Sequence, residues 1–180
     1  MGDAMTKYDC TADVTEHKRK VSYWLNDFIQ LLTSRSNTHD VSKLGPQEKP
    51  VFDEYTPKLK ELTFGSDEYK ASLEAMGEGL SHHYKANRHH PEHFENGVNR
   101  MTLHDSVEMF CDCLAAAEAK RTPIDIDYLS KRFGLDHQLV CILINTMREL
   151  DFWNEVSGVP VTYFTPENKR GELYSLDAVK

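Results

Sequence analysis

The sequence predicts a mostly α-helical fold that ends in a small helical and β-hairpin extension. Apolar residues recur at the spacings of a buried helix face over most of the chain, whereas β-prone runs stand near the C-terminus. With 180 residues and a hydrophobic content of 39%, the chain has enough apolar side chains for one domain with its own core.

The N-terminal half is predicted to contain three helices after a flexible stretch over residues 1–13. The first runs from about Val14 to Thr33, with a buried face formed by Val21, Trp24, Leu25, Phe28 and Leu32. The polar segment SRSNTHD breaks the pattern, and a proline-interrupted helix is predicted over residues 50–63. A third helix is predicted from Ser66 to about Lys85.

The C-terminal half begins with a loop, NRHHPEHFENG, because Pro91 and Gly97 disfavour a continuous helix. A strong helix is predicted from about Leu103 to Lys120, and two shorter helices, roughly Ile126–Phe133 and His137–Leu150, follow. The run VTYFTPENKRGELYSL predicts a β-hairpin. We therefore expect a helical domain over residues 14–121 and a C-terminal cap over residues 122–180.

Composition limits the partners and the compartment. A net charge of −8 disfavours nucleic acid and anionic membranes as partners, although a local basic pocket can still bind a small phosphate ester. There is neither an apolar run of the roughly 20 residues that span a bilayer nor an N-terminal signal core. The four cysteines show no CxxC spacing, which favours reduced thiols and a cytoplasmic location. A homo-oligomer is left open.

Histidines and carboxylates form the chemically informative pattern. Seven of the nine histidines fall between residues 17 and 93, including the pair in THD and the run HHYKANRHHPEH. In the helix that follows, Asp105, Glu108 and Asp112 share one face without an interspersed lysine, so a metal ion or an arginine is expected opposite them. Mixed imidazole and carboxylate sets suit transition metals. The alternatives are a solvated histidine loop and a solvated acidic face.

The order His…His-Asp…His…His…Asp resembles the HD-domain superfamily of helical, metal-dependent phosphohydrolases. The resemblance implies an HD-like helical bundle and two divalent metal ions, with Fe, Mn, Co, Ni and Zn not distinguished. The implied ligands are His17, His39, Asp40, His83, His90 and Asp112. Asp40 would bridge the two ions; the choices between His82 and His83 and between His89 and His90 stay open, although the helix phase favours His83.

A second resemblance covers most of residues 15–150. The segments HDVSKL, FGSDEYKASL, HHYKANRHHPEHFENG, MTLHDSVEMFCD and NTMREL are similar to an uncharacterised family found in bacteria and phages. NRHHPEHF is its most specific run. The chain departs from that family directly after Asp112, where Cys113 stands in place of an aromatic residue. This family implies no activity, so it supports the fold rather than a substrate.

The predicted function is metal-dependent hydrolysis of a phosphate ester or anhydride, on a nucleotide according to the HD resemblance. Lys43 is expected to reach the substrate or the attacking water, and His89 or His93 to protonate the leaving oxygen. Asn87 and Arg88 are the expected phosphate-binding residues. The residues expected to orient the metal ligands are Glu48, Glu92, Asp105 and Glu108.

Two other functions are compatible with the sequence. The same ligands suit a di-iron HD-type oxygenase. A winged-helix-like binding protein is the third reading, from the two short helices and the hairpin. The second of those helices offers only Arg148 as a strong cation, which favours a core-completing cap instead. The residues expected in that core are Leu139, Ile142, Leu143 and Met147.

Overall fold

The computed structural model describes residues 8–120 and 124–150, and all regular structure in these two ranges is helical. The prediction of a mostly α-helical fold is therefore confirmed for them. The α-helices are α1 (Thr11–Thr38), α2 (Lys49–Glu61), α3 (Asp67–Ala75), α4 (Gly77–Ala86), α5 (Leu103–Lys120), α6 (Ile126–Phe133) and α7 (His137–Glu149). Short 3-10 helices span Val41–Leu44, Pro91–His93 and Gly97–Arg100.

The predicted β-hairpin, VTYFTPENKRGELYSL, lies outside the described residues, as do residues 1–7 of the predicted flexible N-terminus. The chain divides into two compact units, Met1–His39 and Asp40–Lys180. Within the described ranges, no helix combines the length and the apolar content that a membrane crossing requires.

Helix α1 begins earlier and ends later than the sequence predicts. At its start, the Asp9 carboxylate accepts hydrogen bonds from the Thr11 amide and hydroxyl at 3.0 and 2.6 Å. At its end, the polar residues expected to break the helix continue it. Thr33 and Thr38 donate their hydroxyls back to carbonyls one turn earlier. Such back-bonding satisfies the side chain without interrupting the helix.

The predicted burial of the α1 apolar face is wrong. Val21, Trp24 and Leu25 are 41%, 66% and 58% exposed, and no residue of α1 is buried. The physical reason lies within the first unit, where α1 is the only described helix. A single helix has no second element of its own unit to cover its apolar stripe.

The third predicted helix is in fact two helices, α3 and α4, which meet at Met76 and Gly77. Gly77 has φ +53°, a left-handed conformation that breaks a helix and that glycine adopts at little cost. Gly79 is helical, but it lies directly against α2: a Cβ atom there would stand 2.8 Å from Val51 Cγ2. The two glycines thus set the start of α4 and its close packing on α2, which together position His83 one turn later.

The core of the second unit is built mainly by α5, α6 and α7. Its buried members are Met109, Phe110, Leu114, Ala117, Ile124, Ile126, Leu129, Leu135, Leu143, Ile144 and Met147. Among the residues predicted for α7, Leu143 and Met147 are buried and Leu139 is half-buried, whereas Ile142 is 59% exposed. Ile144 takes the buried position that the sequence-based prediction gave to Ile142.

Lys120 connects the end of α5 to the end of α2. Its ammonium donates to the carbonyls of Leu59 and Leu62 at 2.8 and 2.5 Å and lies 5.3 Å from the centre of the Tyr69 ring. The last carbonyls of a helix have no partner inside it and carry the negative end of its dipole. A cation bound there therefore stabilises α2 and joins it to α5.

Replacing Gly79 by valine tests the close approach of α4 to α2. We expect Gly79→Val to lower the free energy of unfolding by about 1–3 kcal/mol, because its side chain must displace Val51. Urea denaturation followed by circular dichroism measures the change. The matched control is Ser81→Val on the exposed side of the same helix. It should lower the free energy of unfolding by only about a few tenths of the change in Gly79→Val. Equal stability of the two variants would contradict the packing argument.

Candidate metal centre

Asp40 is held in an unusual conformation at the start of the second unit. It has φ 56° and ψ 12°, and among the described residues it is the one non-glycine with a positive φ. This left-handed conformation costs most residues about 1–2 kcal/mol, and aspartate tolerates it better than most. Lys43 Nζ lies 2.5 Å from Asp40 Oδ2, and the Lys43 amide donates to the Asp40 carbonyl. The turn therefore fixes the direction of the carboxylate.

The other carboxylate oxygen of Asp40 faces a group of imidazole rings. Oδ1 lies 3.4 Å from His83 Nε2 and 3.5 Å from His89 Nε2. His83 Nε2 lies 2.9 Å from His90 Nε2. One ligand atom from each of Asp40, His83, His89 and His90 falls within 4.8 Å of the others, which is the spacing of donors around one ion. We call these four residues the histidine centre.

Glu48 sets the tautomer of His83. Its carboxylate is fully buried, and Oε2 lies 2.8 Å from His83 Nδ1 and accepts from the Ser42 hydroxyl at 2.9 Å. The other oxygen lies 2.7 Å from Nδ1 of the half-exposed His82. Because an ionised carboxylate only accepts, Nδ1 of His83 carries the proton and Nε2 keeps its lone pair toward Asp40. Burial would raise the pKa of Glu48, but the hydrogen bonds from His82, His83 and Ser42 outweigh it and lower the pKa.

Glu108 of helix α5 orients His89 as Glu48 orients His83. Glu108 Oε1 lies 3.2 Å from His89 Nδ1, so the ring again directs Nε2 toward Asp40. Asp112 follows one turn later on the same helix, and one of its oxygens lies within 4.8 Å of an Asp40 oxygen. Glutamates on two sides of the centre thus orient two of the three imidazoles.

The environment keeps two of the three imidazoles, those of His83 and His90, neutral. Burial lowers the pKa of His83. Burial also lowers the pKa of His90 to about 2, and the positive charges that His89 and His83 would carry add to the effect. Aromatic rings form the walls: Phe52 lies 5.1 Å from the His83 ring, and Tyr84 lies 4.9 Å from the His90 ring. Neutral imidazole nitrogens beside carboxylates are the donors that transition metals take, so the residues present fit such an ion.

The two histidines that the sequence left undecided, His89 and His90, both belong to the histidine centre. His89 was expected to act as an acid and His90 as a ligand. The geometry makes both available as ligands, with ring centres 4.1 Å apart. Of the pair His82 and His83, it is His83 whose ring points to Asp40. His17 and His39 belong to the first unit, and their expected role as ligands stays a prediction.

The residues expected to bind phosphate have partners inside the fold. Asn87 donates to the Ser42 hydroxyl at 2.7 Å and to the His83 carbonyl at 2.9 Å. Arg88 donates through Nε and Nη2 to the two oxygens of the buried Asp105, at 3.1 and 3.0 Å. These bonds hold the first two residues of the histidine loop, NRHHPEHF. Binding of substrate by Asn87 and Arg88 stays a prediction.

Three further expected residues lie around the centre rather than in it. Asp105 accepts from the Thr102 amide and hydroxyl as well as from Arg88, and so caps the start of α5. Glu92 pairs with Arg132 at 3.6 Å. His93 packs edge-on against Phe94 at 4.7 Å, and its buried Nδ1 has no hydrogen-bond partner within the described ranges. Their expected roles in orienting ligands or in catalysis stay predictions.

Sequence reasoning assigned no role to Ser42, and it considered His82 only as the alternative to His83 as a metal ligand. Ser42 donates to Glu48 and accepts from Asn87, so it joins the HDVSK motif to the histidine loop. His82 is the second imidazole on Glu48. The signal for Ser42 was its place in the motif, two residues after Asp40. For His82 no local signal distinguishes a partner of Glu48 from an ordinary exposed histidine.

Comparison with known proteins gives one match. A family model described as a family of unknown function (DUF5662) matches residues 6–149, a range that contains the whole histidine centre. No curated protein and no solved structure matches the chain.

Neutralising Glu48 tests its control of the His83 tautomer. We expect Glu48→Gln to weaken metal binding by about 10- to 100-fold, because an amide cannot accept from both histidines and the hydroxyl as the carboxylate does. Titration with Zn²⁺ or Co²⁺ against a competing chelator measures the affinity. Glu54→Gln, an exposed position on α2, is the control and should bind the metal as the wild type does. Equal affinity in both variants would contradict this role.

The lowered pKa of His90 predicts an acid-sensitive metal-free protein. Below about pH 6.5 the unfolded chain protonates this imidazole and the folded chain does not, so stability is present above that pH and is lost as the pH falls toward about 2. Urea unfolding of the metal-free protein between pH 7 and 5 measures the loss. His90→Gln should flatten the dependence, and His137→Gln at an exposed site should not. A slope unchanged by His90→Gln would refute the assignment.

Proposed function

The chain belongs to the DUF5662 family, whose function is unknown, and we propose that it is a metal-dependent phosphohydrolase acting on a phosphate ester or anhydride. The observation that carries the proposal is the histidine centre itself. Three imidazoles converge on the carboxylate of Asp40, and buried or half-buried glutamates hold two of them by Nδ1. A histidine that only stabilises the fold does not need its Nε2 atom to point at the same carboxylate as those of two other histidines.

We assign the metal ligands as Asp40, His83, His89 and His90, with Asp112 beside Asp40. His39, the neighbour of Asp40 in the chain, and His17 stay predicted ligands from the HD-domain resemblance. Glu48, Glu108, Asp40 and Asp112 bring four carboxylates to this region, against the ammonium of Lys43. Such an excess of negative charge, with neutral imidazoles, favours two divalent cations over one.

When bound, transition metal ions would polarise a phosphoryl oxygen and lower the pKa of a water molecule. The chain's own residues supply the remaining requirements. Lys43 holds Asp40 by one oxygen and so leaves the other directed at the rings. Its ammonium is about a third exposed and is placed to donate to a phosphoryl oxygen that approaches Asp40. Phe52 and Tyr84 limit access of bulk water to two of the rings.

The substrate class rests on both chemistry and resemblance. Two divalent cations held among neutral nitrogens would attract an anionic ester. The further step to a nucleotide rests on the HD-domain resemblance alone. The same donor set is compatible with a di-iron oxygenase, so the first experiment must separate the two reactions.

Metal analysis and a substrate panel test the proposal. Protein purified without chelator should contain close to two transition metal ions per chain and release phosphate from nucleotides or from aryl phosphates. Removal of the metal by a chelator should abolish release, and added Mn²⁺ or Co²⁺ should restore it. Bound iron with oxygen consumption and no phosphate release would favour the oxygenase. A chain that binds no metal would refute both enzymes.

Substitution of the two aspartates tests the ligand assignment. Asp40→Asn keeps a residue that tolerates the left-handed conformation but removes the charge. Asp112→Asn removes the charge of the carboxylate on α5. Both should lose bound metal, and phosphate release should fall to the background rate. Asp53→Asn is the control, because that carboxylate is exposed and pairs with Lys49 one turn away. Full metal content in both ligand variants would refute the assignment.

A further inference from the structure

A second group of polar side chains lies next to the histidine centre, around Arg132 of α6. The guanidinium lies 4.9 Å from the centre of the Phe133 ring and 3.6 Å, through Nη2, from the Glu92 carboxylate. The Phe64 ring lies 6.0 Å from the same guanidinium and packs edge-on against the rings of Tyr69 and Tyr128, and the Tyr84 hydroxyl is a hydrogen-bond partner of Arg132. We call Arg132 with Tyr69, Tyr84 and Tyr128 the arginine–tyrosine cluster.

The fold holds this cluster rigidly. Tyr128 lies one turn before Arg132 on α6, and its ring packs edge-on against Phe64 at 5.2 Å. Phe64 packs in turn against Tyr69 at the same distance. Gly65 has φ +78°, and a Cβ atom there would stand 2.7 Å from the Tyr128 ring, so the backbone touches the ring directly. A rigid guanidinium keeps more of its binding energy because less side-chain entropy is lost on binding.

Tyr84 joins the cluster to the histidine centre. Its ring lies 4.9 Å from the His90 ring, and its hydroxyl is a hydrogen-bond partner of Arg132. Glu92, which pairs with Arg132, stands two residues after His90 in the chain. Arg132 is therefore one side chain away from His90 and is not itself among the predicted ligands.

Within the described ranges, Arg132 has an ion pair with Glu92 and a hydrogen bond with Tyr84, and these contacts leave N–H donors of its guanidinium unused. A guanidinium has five N–H donors in a planar fork that matches two oxygens of a phosphate. The 3.6 Å separation from Glu92 is longer than a hydrogen bond, and such partly exposed ion pairs contribute little. The Arg132 side chain is 22% exposed and that of Glu92 is 37% exposed, so a soluble anion has access.

We propose that the arginine–tyrosine cluster binds a second, non-reacting phosphoryl group of the substrate, while the histidine centre receives the reacting one. The inference rests on the proposed function and deepens it, because it assigns a substrate with two adjacent phosphoryl groups, such as a nucleoside diphosphate. Arg132 supplies the fork, and the tyrosine hydroxyls supply neutral donors beside it. When it binds, the phosphoryl group replaces Glu92 as the ion-pair partner of Arg132.

ADP and AMP form a matched pair of probes, since they differ by one phosphoryl group. With the metal-loaded protein, Arg132→Gln should raise the KM for ADP by about 10- to 100-fold, the effect of losing a charged, two-pronged contact, and change the KM for AMP by less than about threefold. Arg132→Lys should recover only part of the loss. Lys131→Gln, an exposed cation beside it on α6, is the control and should change neither value.

Metal content and thermal unfolding of each variant separate this role from a structural one. Equal changes for ADP and AMP, or none, would overturn the inference and leave the phosphohydrolase standing. If Arg132→Gln does not fold, Arg132→Lys carries the same comparison. Should wild-type protein turn over neither nucleotide, calorimetric binding of the two replaces KM. Metal-loaded wild type that binds ADP no more tightly than AMP refutes the subsite, and absence of bound metal refutes the proposed function together with it.

Discussion

The buried carboxylate of Glu48 is the constraint on which the rest of the centre depends. An ionised carboxylate removed from water costs several kcal/mol unless hydrogen bonds replace the lost solvent. Glu48 obtains them from Ser42, His82 and His83. These donors belong to the 3-10 helix after Asp40 and to α4, while Glu48 itself precedes α2. One charge thus joins three elements, and the same bonds that satisfy it decide which nitrogen of His83 is free to bind.

The histidine loop, NRHHPEHF, is held at its start by hydrogen bonds from two consecutive side chains. Asn87 bonds back to Ser42, and Arg88 makes a two-pronged bond to the buried Asp105 at the start of α5. Between those anchors and the 3-10 helix Pro91–His93, the backbone has little freedom, so His89 and His90 are presented without a regular helix. Glu108 then fixes the His89 ring from α5. Precision at the centre comes from polar side chains on rigid elements rather than from apolar packing alone.

Much of this could be predicted from local sequence, and the remainder depends on tertiary contacts. Helical periodicity gave α2, α5, α6 and α7 close to their observed limits, and the HD pair and NRHHPEHF indicated where the donors stand. The division of the third helix depended on the left-handed φ of Gly77, because a glycine within an apolar pattern is compatible with either outcome. The pairing of Arg88 with Asp105 joins residues 17 positions apart. Helical periodicity does not predict such a contact. It also did not predict that α6 places Arg132 near Tyr84.

The three imidazoles of the histidine centre differ in whether a carboxylate fixes the proton on Nδ1. Glutamates fix the protons of His83 and His89 on Nδ1, but no carboxylate contacts Nδ1 of His90 within the described ranges. His90 is therefore able to carry its proton on Nε2 and donate to His83 Nε2 at 2.9 Å. A bound cation would need that lone pair, so the proton must move to Nδ1. In the metal-free centre a neutral hydrogen bond thus joins His83 and His90, and metal binding competes with that bond.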